Sequence, residues 1–293
     1  MHGKNLKSYA MFISSALIFG TIGIFRKYIS LSSGILACSR GLLGCAFLLI
    51  FVTLRGHKLE KLPGKKLALL ALTGALIGFN WILLFESYNY TTVATATMCY
   101  YMQPTIIILL SPLVFREKLT PKKICCAVAA IIGMVFISGI TEGSGVGSQD
   151  IMGIICGLGA AALYASVVIL NKKVPVEDAF AKTIVQLFCA SVTLIPYLLL
   201  TADLSAVSLN TTAVILVLVV GIVHTGIAYA MYFGSMEKLN AQSVAVLSYI
   251  DPVFALLLSA AILREKLTVF GIIGTVLIIG SALISELNTG NKS

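Results

Sequence analysis

The chain has 293 residues, 58% of them hydrophobic and only 11% charged, with a formal net charge of +9 and a mean hydropathy of +1.00. Ordinary soluble domains carry about 25% charged residues, so this composition excludes a soluble globular enzyme and equally a disordered or collagen-like chain. Ten bilayer-crossing helices use roughly 210 residues, which leaves too little chain for an attached catalytic or ATP-binding domain.

In chain order, the apolar spans are expected at 8–29, 31–54, 66–87, 91–115, 122–139, 152–171, 180–201, 212–233, 241–263 and 269–286. Span 1 follows Lys4 and Lys7 as a secretory signal does. No small-residue cleavage site comes after it and it ends on Arg26-Lys27, so it reads as a retained span. Sixteen of the 21 Lys+Arg residues fall on the face shared by both termini and the even-to-odd connections. Only Arg26, Lys27, Arg264 and Lys266 fall on the other, and Arg40 lies inside span 2. The positive-inside rule then predicts a multi-pass plasma-membrane protein with both termini cytoplasmic. The same distribution makes nucleic-acid binding the less economical reading of the charge.

The seven cysteines lie within or at the edges of apolar spans without a C-x-x-C pair, so neither a metal site nor a disulfide framework nor a cofactor is expected. Thr120 followed by Pro121 reads as a helix N-cap with Pro at the first helical position. Gly74…Gly78 and Gly153…Gly157 are spacings that let helices pack closely, which is compatible with a monomer or a homodimer. The GSGVGS run at 143–148 lacks the Lys-Ser/Thr of a phosphate loop and reads as a linker.

An internal repeat organises the whole. Offset by 148 residues, 78–120 aligns with 226–268 with 13 identities in 43 positions. REKLT at 116–120 falls on REKLT at 264–268, Pro104 on Pro252 and Tyr101 on Tyr249. Each half, 1–140 and 151–287, holds five spans. Five is odd, so the second half enters the membrane inverted, the architecture on which many secondary transporters build alternating access.

Polar residues deep in the spans are the candidate site. Asp251 lies ten residues into span 9, about 15 Å down and close to the middle of a ~30 Å hydrocarbon core. A carboxylate is expensive there and points to function. Its repeat mate Gln103 approaches from the opposite side. Pro104 and Pro252 follow these two residues, and each removes a backbone donor and breaks its helix, freeing the carbonyls of Tyr100 and Ser248. Freed carbonyls beside midplane polar side chains are the ingredients of a binding site made from broken helices. His224, twelve residues into span 8, is placed to relay protons or to pair with Asp251. Tyr101 and Tyr249 offer rings or hydroxyls to a ligand. Asn80, Trp81, Tyr164 and Tyr229 are candidates for the cavity wall. Arg40 can snorkel toward Glu86, forming either a structural clamp or an outer gate.

The two five-span halves, the repeated REKLT, the paired prolines, Lys27 closing span 1, Arg40 in span 2 and the segment FNWILLFESYNYTTVATATMCYYMQP at 79–104 together resemble the drug/metabolite transporter superfamily in its ten-helix EamA branch. That resemblance implies an all-α membrane protein of ten helices in two inverted repeats. It also implies a secondary transporter, an exporter, of small polar metabolites such as amino acids. A small-molecule substrate, the lipid bilayer and a coupled proton are then the expected partners. An importer, or a membrane-embedded enzyme or lipid-handling protein, is the alternative. H-E-x-x-H and G-x-S-x-G motifs are both absent from the sequence, which disfavours the enzyme.

Overall fold

A computed structural model describes residues 2–116, 118–139, 147–173, 176–202, 210–236, 238–239 and 241–287. The linker run at 143–146 and the C-terminal residues from 288 lie outside them. Among the described residues the chain is helical throughout, with no strand. The elements are α1 (His2–Gly20), α2 (Ile22–Tyr28), α3 (Ser33–Leu54), α4 (Gly64–Tyr90), α5 (Val93–Tyr100), α6 (Gln103–Phe115), α7 (Pro121–Ile137), α8 (Ser148–Lys173), α9 (Ala179–Thr201), α10 (Thr211–Leu218), a π-helical segment (Val219–Ile227), α11 (Ala228–Met236), α12 (Ala241–Ser248), α13 (Ile250–Ile262) and α14 (Val269–Leu287). Seven stretches are long and apolar enough to cross a membrane: Leu6–Tyr28, Ser33–Leu54, Gly64–Tyr90, Val93–Phe115, Ser148–Lys172, Ala179–Thr201 and Thr211–Ser235. Val246–Ile262 and Val269–Ser285 are shorter apolar helices, and α7 falls between the halves' other spans as the fifth.

Burial is inverted relative to a soluble protein. Leu54, Leu113, Leu199 and Leu200 are largely exposed on the outside, whereas Ser15, Arg40, Asn80, His224 and Thr225 are buried inside. Such an arrangement is stable only where the surrounding medium is itself apolar.

The helix contacts come in pairs under exchange of the two halves. Span 3 packs on span 6 (α4 on α8) as span 8 packs on span 1 (α11 on α1). Span 4 lies on span 6 (α5 and α6 on α8) as span 9 lies on span 1 (α12 and α13 on α1). Spans 2 and 7 meet each other (α3 on α9), and so do spans 5 and 10 (α7 on α14). Small residues permit these approaches. A Cβ on Gly133 would stand 2.7 Å from the Gly274 carbonyl, and one on Gly74 2.6 Å from that of Gln186. Both glycine spacings noted in the sequence are spent on contacts within the chain, since Gly153 and Gly157 face Thr91 and Cys99.

The helix ends are built from local chemistry. Thr120 caps α7 by accepting from the Lys123 N–H at 3.3 Å, and Pro121 starts the helix. Asn210 caps α10. Asp178 caps α9 through the Phe180 and Ala181 N–H groups at 3.0 and 3.1 Å. The same carboxylate lies 2.9 Å from His57 Nε2 and accepts from the Glu60 N–H at 3.1 Å, which ties the α3–α4 connection to the α8–α9 connection. Partial burial pushes the Asp178 pKa up. Its hydrogen bonds from the Ala181 N–H, His57 and the Glu60 N–H outweigh that and hold it below the usual carboxylate range.

A carboxylate whose pKa is depressed in the folded state contributes stability above its ordinary pKa and surrenders it as pH falls through the lowered value. Asp178→Ala should therefore destabilise detergent-purified protein by about 1 kcal/mol at neutral pH. In thermal melts, the gap to wild type should close as pH drops below the ordinary carboxylate range. A gap that does not change with pH contradicts this account.

Candidate functional site

Four spans lose regular α-helical geometry at the depth of the predicted polar residues. Span 1 is interrupted at Thr21, span 4 at Tyr101-Met102, span 9 at Tyr249, and span 8 widens into the π-helical segment. Pro104 and Pro252 lie in the first turns of the helices that resume, α6 and α13, where a missing N–H costs nothing within the new helix. The break is thus displaced one turn toward the N-terminus, onto the tyrosines. Tyr101 and Tyr249 are each tied back by their own N–H groups, to Thr97 O at 2.9 Å and Val246 O at 3.2 Å.

These breaks converge. The Tyr101 hydroxyl donates to Asp251 Oδ2 at 2.7 Å, a bond from the first half to the second. The Tyr101 and Tyr249 rings are 6.3 Å apart, Tyr100 stands 6.0 Å from Tyr101 and 5.8 Å from Tyr164, and Tyr229 packs on Phe19 at 5.4 Å. Gly20 brings span 1 against this point, since a Cβ on it would stand 2.7 Å from the Asp251 carbonyl. The repeat mate of Asp251 is left differently: Gln103 Oε1 is buried and has no hydrogen-bond partner among the described residues.

On the other side of span 1, Thr21 Oγ1 lies 2.7 Å from His224 Nε2, and Phe25 abuts the imidazole edge-on at 4.8 Å. The next residue, Thr225, accepts from Arg40 Nε at 3.1 Å while donating to Val220 O at 3.0 Å. The π-helical register sets this up, because its fifth-residue spacing turns His224 and Thr225 toward spans 1 and 2. Such bulges recur at functional positions. Arg40 lies over the Trp81 ring at 4.2 Å.

Two expected pairings are not made. Arg40 is not partnered by Glu86, whose Oε2 instead accepts from Asn89 at 3.2 Å. Span 2 is apolar on every side, so depth along the sequence carries no information on which way Arg40 faces. His224 does not meet Asp251 either; its partners are Thr21 and Val219. Asn80 is engaged in packing, donating to Ala160 O at 2.6 Å and holding α4 to α8, with its Oδ1 unpartnered. Thr21, Thr225 and the ring of Tyr100 belong to the constellation and escaped sequence reasoning. Gly20 and Gly23, two weak helix formers around Thr21, were the available signal for that break.

Near one end of the bundle the halves are latched. Glu265, in the second REKLT, accepts from the Val93 and Ala94 N–H groups at 3.0 and 3.4 Å, capping α5. Ser259 donates to the same carboxylate, and Lys27 Nζ donates to Thr91 O at 2.9 Å beside it. Arg116 and Arg264, at matching repeat positions, share a left-handed backbone with φ 55. The counterpart of Ser259, Ser111, bonds its own helix at Ile108 O.

The EamA-like transporter family matches this chain over residues 6–139 and again over 151–287. The chain belongs to that family. Relatives of the same length class include a Bacillus subtilis (strain 168) protein named uncharacterized transporter YxxF, 28% identical over 284 residues, covering 96% of this chain and 90% of that one. Protein PecM of Dickeya dadantii (strain 3937) is 28% identical over 73% of this chain and 71% of its own. Protein RarD of Salmonella typhimurium is 29% identical over 71% and 68%. A crystal structure at 20% identity covers 96% of this chain and 98% of its own with a TM-score of 0.66, and it supports the fold. As an EamA-like protein the chain is a multi-pass membrane transporter with a small-molecule substrate, and its family points away from an enzyme.

Hydrogen bonds to a charged group contribute about 1.5–3 kcal/mol, so Glu265→Gln should loosen the start of α5. Hydrogen exchange at the Val93 and Ala94 amides should quicken by about tenfold or more. Unchanged exchange there would show that Glu265 is not what holds this end.

Proposed function

We propose that the protein is a secondary transporter that exports small polar metabolites such as amino acids by alternating access of two inverted five-helix repeats, 1–140 and 151–287, with both termini in the cytoplasm. The observation that carries the reading is the Tyr101–Asp251 bond at 2.7 Å, made where two broken spans from opposite halves meet. Broken helices with polar side chains at midplane depth are where such transporters hold cargo and coupling ions. Asp251, Gln103, Tyr101 and Tyr249 form the centre of the site, Tyr164, Tyr229 and Trp81 its walls, and Pro104 and Pro252 the fixed starts of the moving helices. Export is the direction implied by the family resemblance, and the charge asymmetry supports the orientation.

In this mechanism the two halves rock about the shared site. The Glu265 latch closes one end, and rocking that releases it opens that end while closing the other. Near-equivalent halves make the two packings similar in energy, which is the condition for two populated states. Asp251 is the residue that exchanges cargo or a proton between the two sides.

Asp251→Asn keeps the size and can still accept from Tyr101, so a purely structural role should survive it. In proteoliposomes loaded with mixed labelled L-amino acids, the variant should lose at least about tenfold in transport, or lose pH dependence, while folding at near-normal yield. Normal transport with unchanged pH dependence would demote Asp251 to packing.

A further inference from the structure

We infer that Arg40 is an anion-binding subsite for the carboxylate of a zwitterionic cargo whose ammonium faces Asp251. This rests on the transport reading above and names the substrate class of that same site.

The chain contains its own comparison. Arg26 and Arg40 are both only 4% exposed. Arg26 is fastened, donating from Nη1 to Ile29 O at 2.7 Å and from Nη2 to Ser33 Oγ at 3.0 Å, which is how a structural arginine looks in this bundle. Arg40 donates only from Nε, to Thr225. Its Nη1 and Nη2 have no hydrogen-bond partner among the described residues, yet neither is sealed off as Arg26 Nε is. The two ion pairs among the described residues, His57–Asp178 and Lys66–Glu60, do not involve it. A buried guanidinium without an anion is costly inside a membrane protein. The free pair of terminal nitrogens is the fork that binds a carboxylate through two parallel hydrogen bonds.

The surroundings fix where that anion sits. Trp81 at 4.2 Å and Phe85 at 5.6 Å back the guanidinium, and Thr225 holds its Nε, so the remaining edge is the one left for a ligand. Tyr100 packs on the core cluster that holds Trp81 and Phe85 and stands 6.0 Å from Tyr101, whose hydroxyl holds Asp251. The anion-binding and cation-binding groups are thus joined through Tyr100 and Tyr101. Among the described residues, Asp251 has one oxygen held by Tyr101 and the other without a hydrogen bond. One buried donor fork and one open carboxylate oxygen, with aromatic rings between them, suit a small α-amino carboxylate.

The test uses the full chain in proteoliposomes with matched probes: each L-α-amino acid, its amide, and the amine left when the carboxylate is removed. Free acids should be transported, with amides and amines at least tenfold poorer in apparent affinity. Arg40→Gln should raise KM for the acids at least tenfold and bring acids and amides within about twofold of each other, while Arg40→Lys retains part of the preference. Should Arg40→Gln not fold, the wild-type comparison of acid against amide decides alone. Equal transport of acids and amides by wild type, or an unchanged acid preference in Arg40→Gln, overturns the Arg40 assignment and leaves the transport reading standing. Absence of transport for acids, amides and amines alike overturns both.

Discussion

A break in a membrane helix frees backbone groups that hydrocarbon cannot satisfy, each at a cost of several kcal/mol. Breaks are therefore tolerated only where they are buried among other spans or line a polar cavity. In this chain the interruptions at Thr21, Tyr101-Met102, Val219–Ile227 and Tyr249 all lie inside the bundle, and the rest of the architecture follows from holding them together. Gly20 lets span 1 approach the Asp251 carbonyl. Thr21 and His224 join two of the interrupted spans, and Tyr101 and Asp251 join the other two. The outside is left to leucine and isoleucine, which need nothing from lipid except contact.

The repeat supplies a scaffold in which contacts come in exchange-related pairs, and the polar contacts at the midplane break that symmetry. At one midplane position the repeat has a carboxylate, at its mate an amide; Asp251 is bonded across the halves and Gln103 Oε1 is not. At the rim, Glu265 caps α5 of the opposite half, while its own repeat mate, Glu117, lies outside the described residues. Paired packing with unequal polar contacts suits the proposed two-state cycle. In the proposed alternating-access cycle, the packing would keep the states close in energy and the polar contacts would let a ligand bias them.

Much of this was legible in the residues because hydrocarbon imposes simple rules. Span positions follow from apolar length, and the inverted halves from REKLT and proline recurring at a fixed offset. The breaks in spans 4 and 9 follow from Pro lacking an N–H, although Pro starts the second helix and the break itself falls on the tyrosine. The break at Thr21 and the π-helical segment carry no proline and depend on neighbours that sequence order does not reveal. Depth is readable along a helix, but azimuth is not when every face is apolar. Depth therefore places Arg40 but not its partner, which is Thr225 rather than Glu86, and places His224 but not its side, which faces Thr21 rather than Asp251. Glu265 was visible only as part of a junction motif, because its partners, Val93 and Ala94, are backbone groups that leave no mark on side-chain patterns.

The central claim is that the two halves share one cavity lined by their paired tyrosines, open to each side in turn. Cysteines placed singly at 101 and 249, in a background lacking the seven native ones, test it most directly. Both should react with a small cationic thiosulfonate, and saturation with a transported amino compound should protect both. A position that stays unreactive under every condition, with or without cargo, would place that tyrosine against lipid or in a sealed helix interface and contradict the shared cavity.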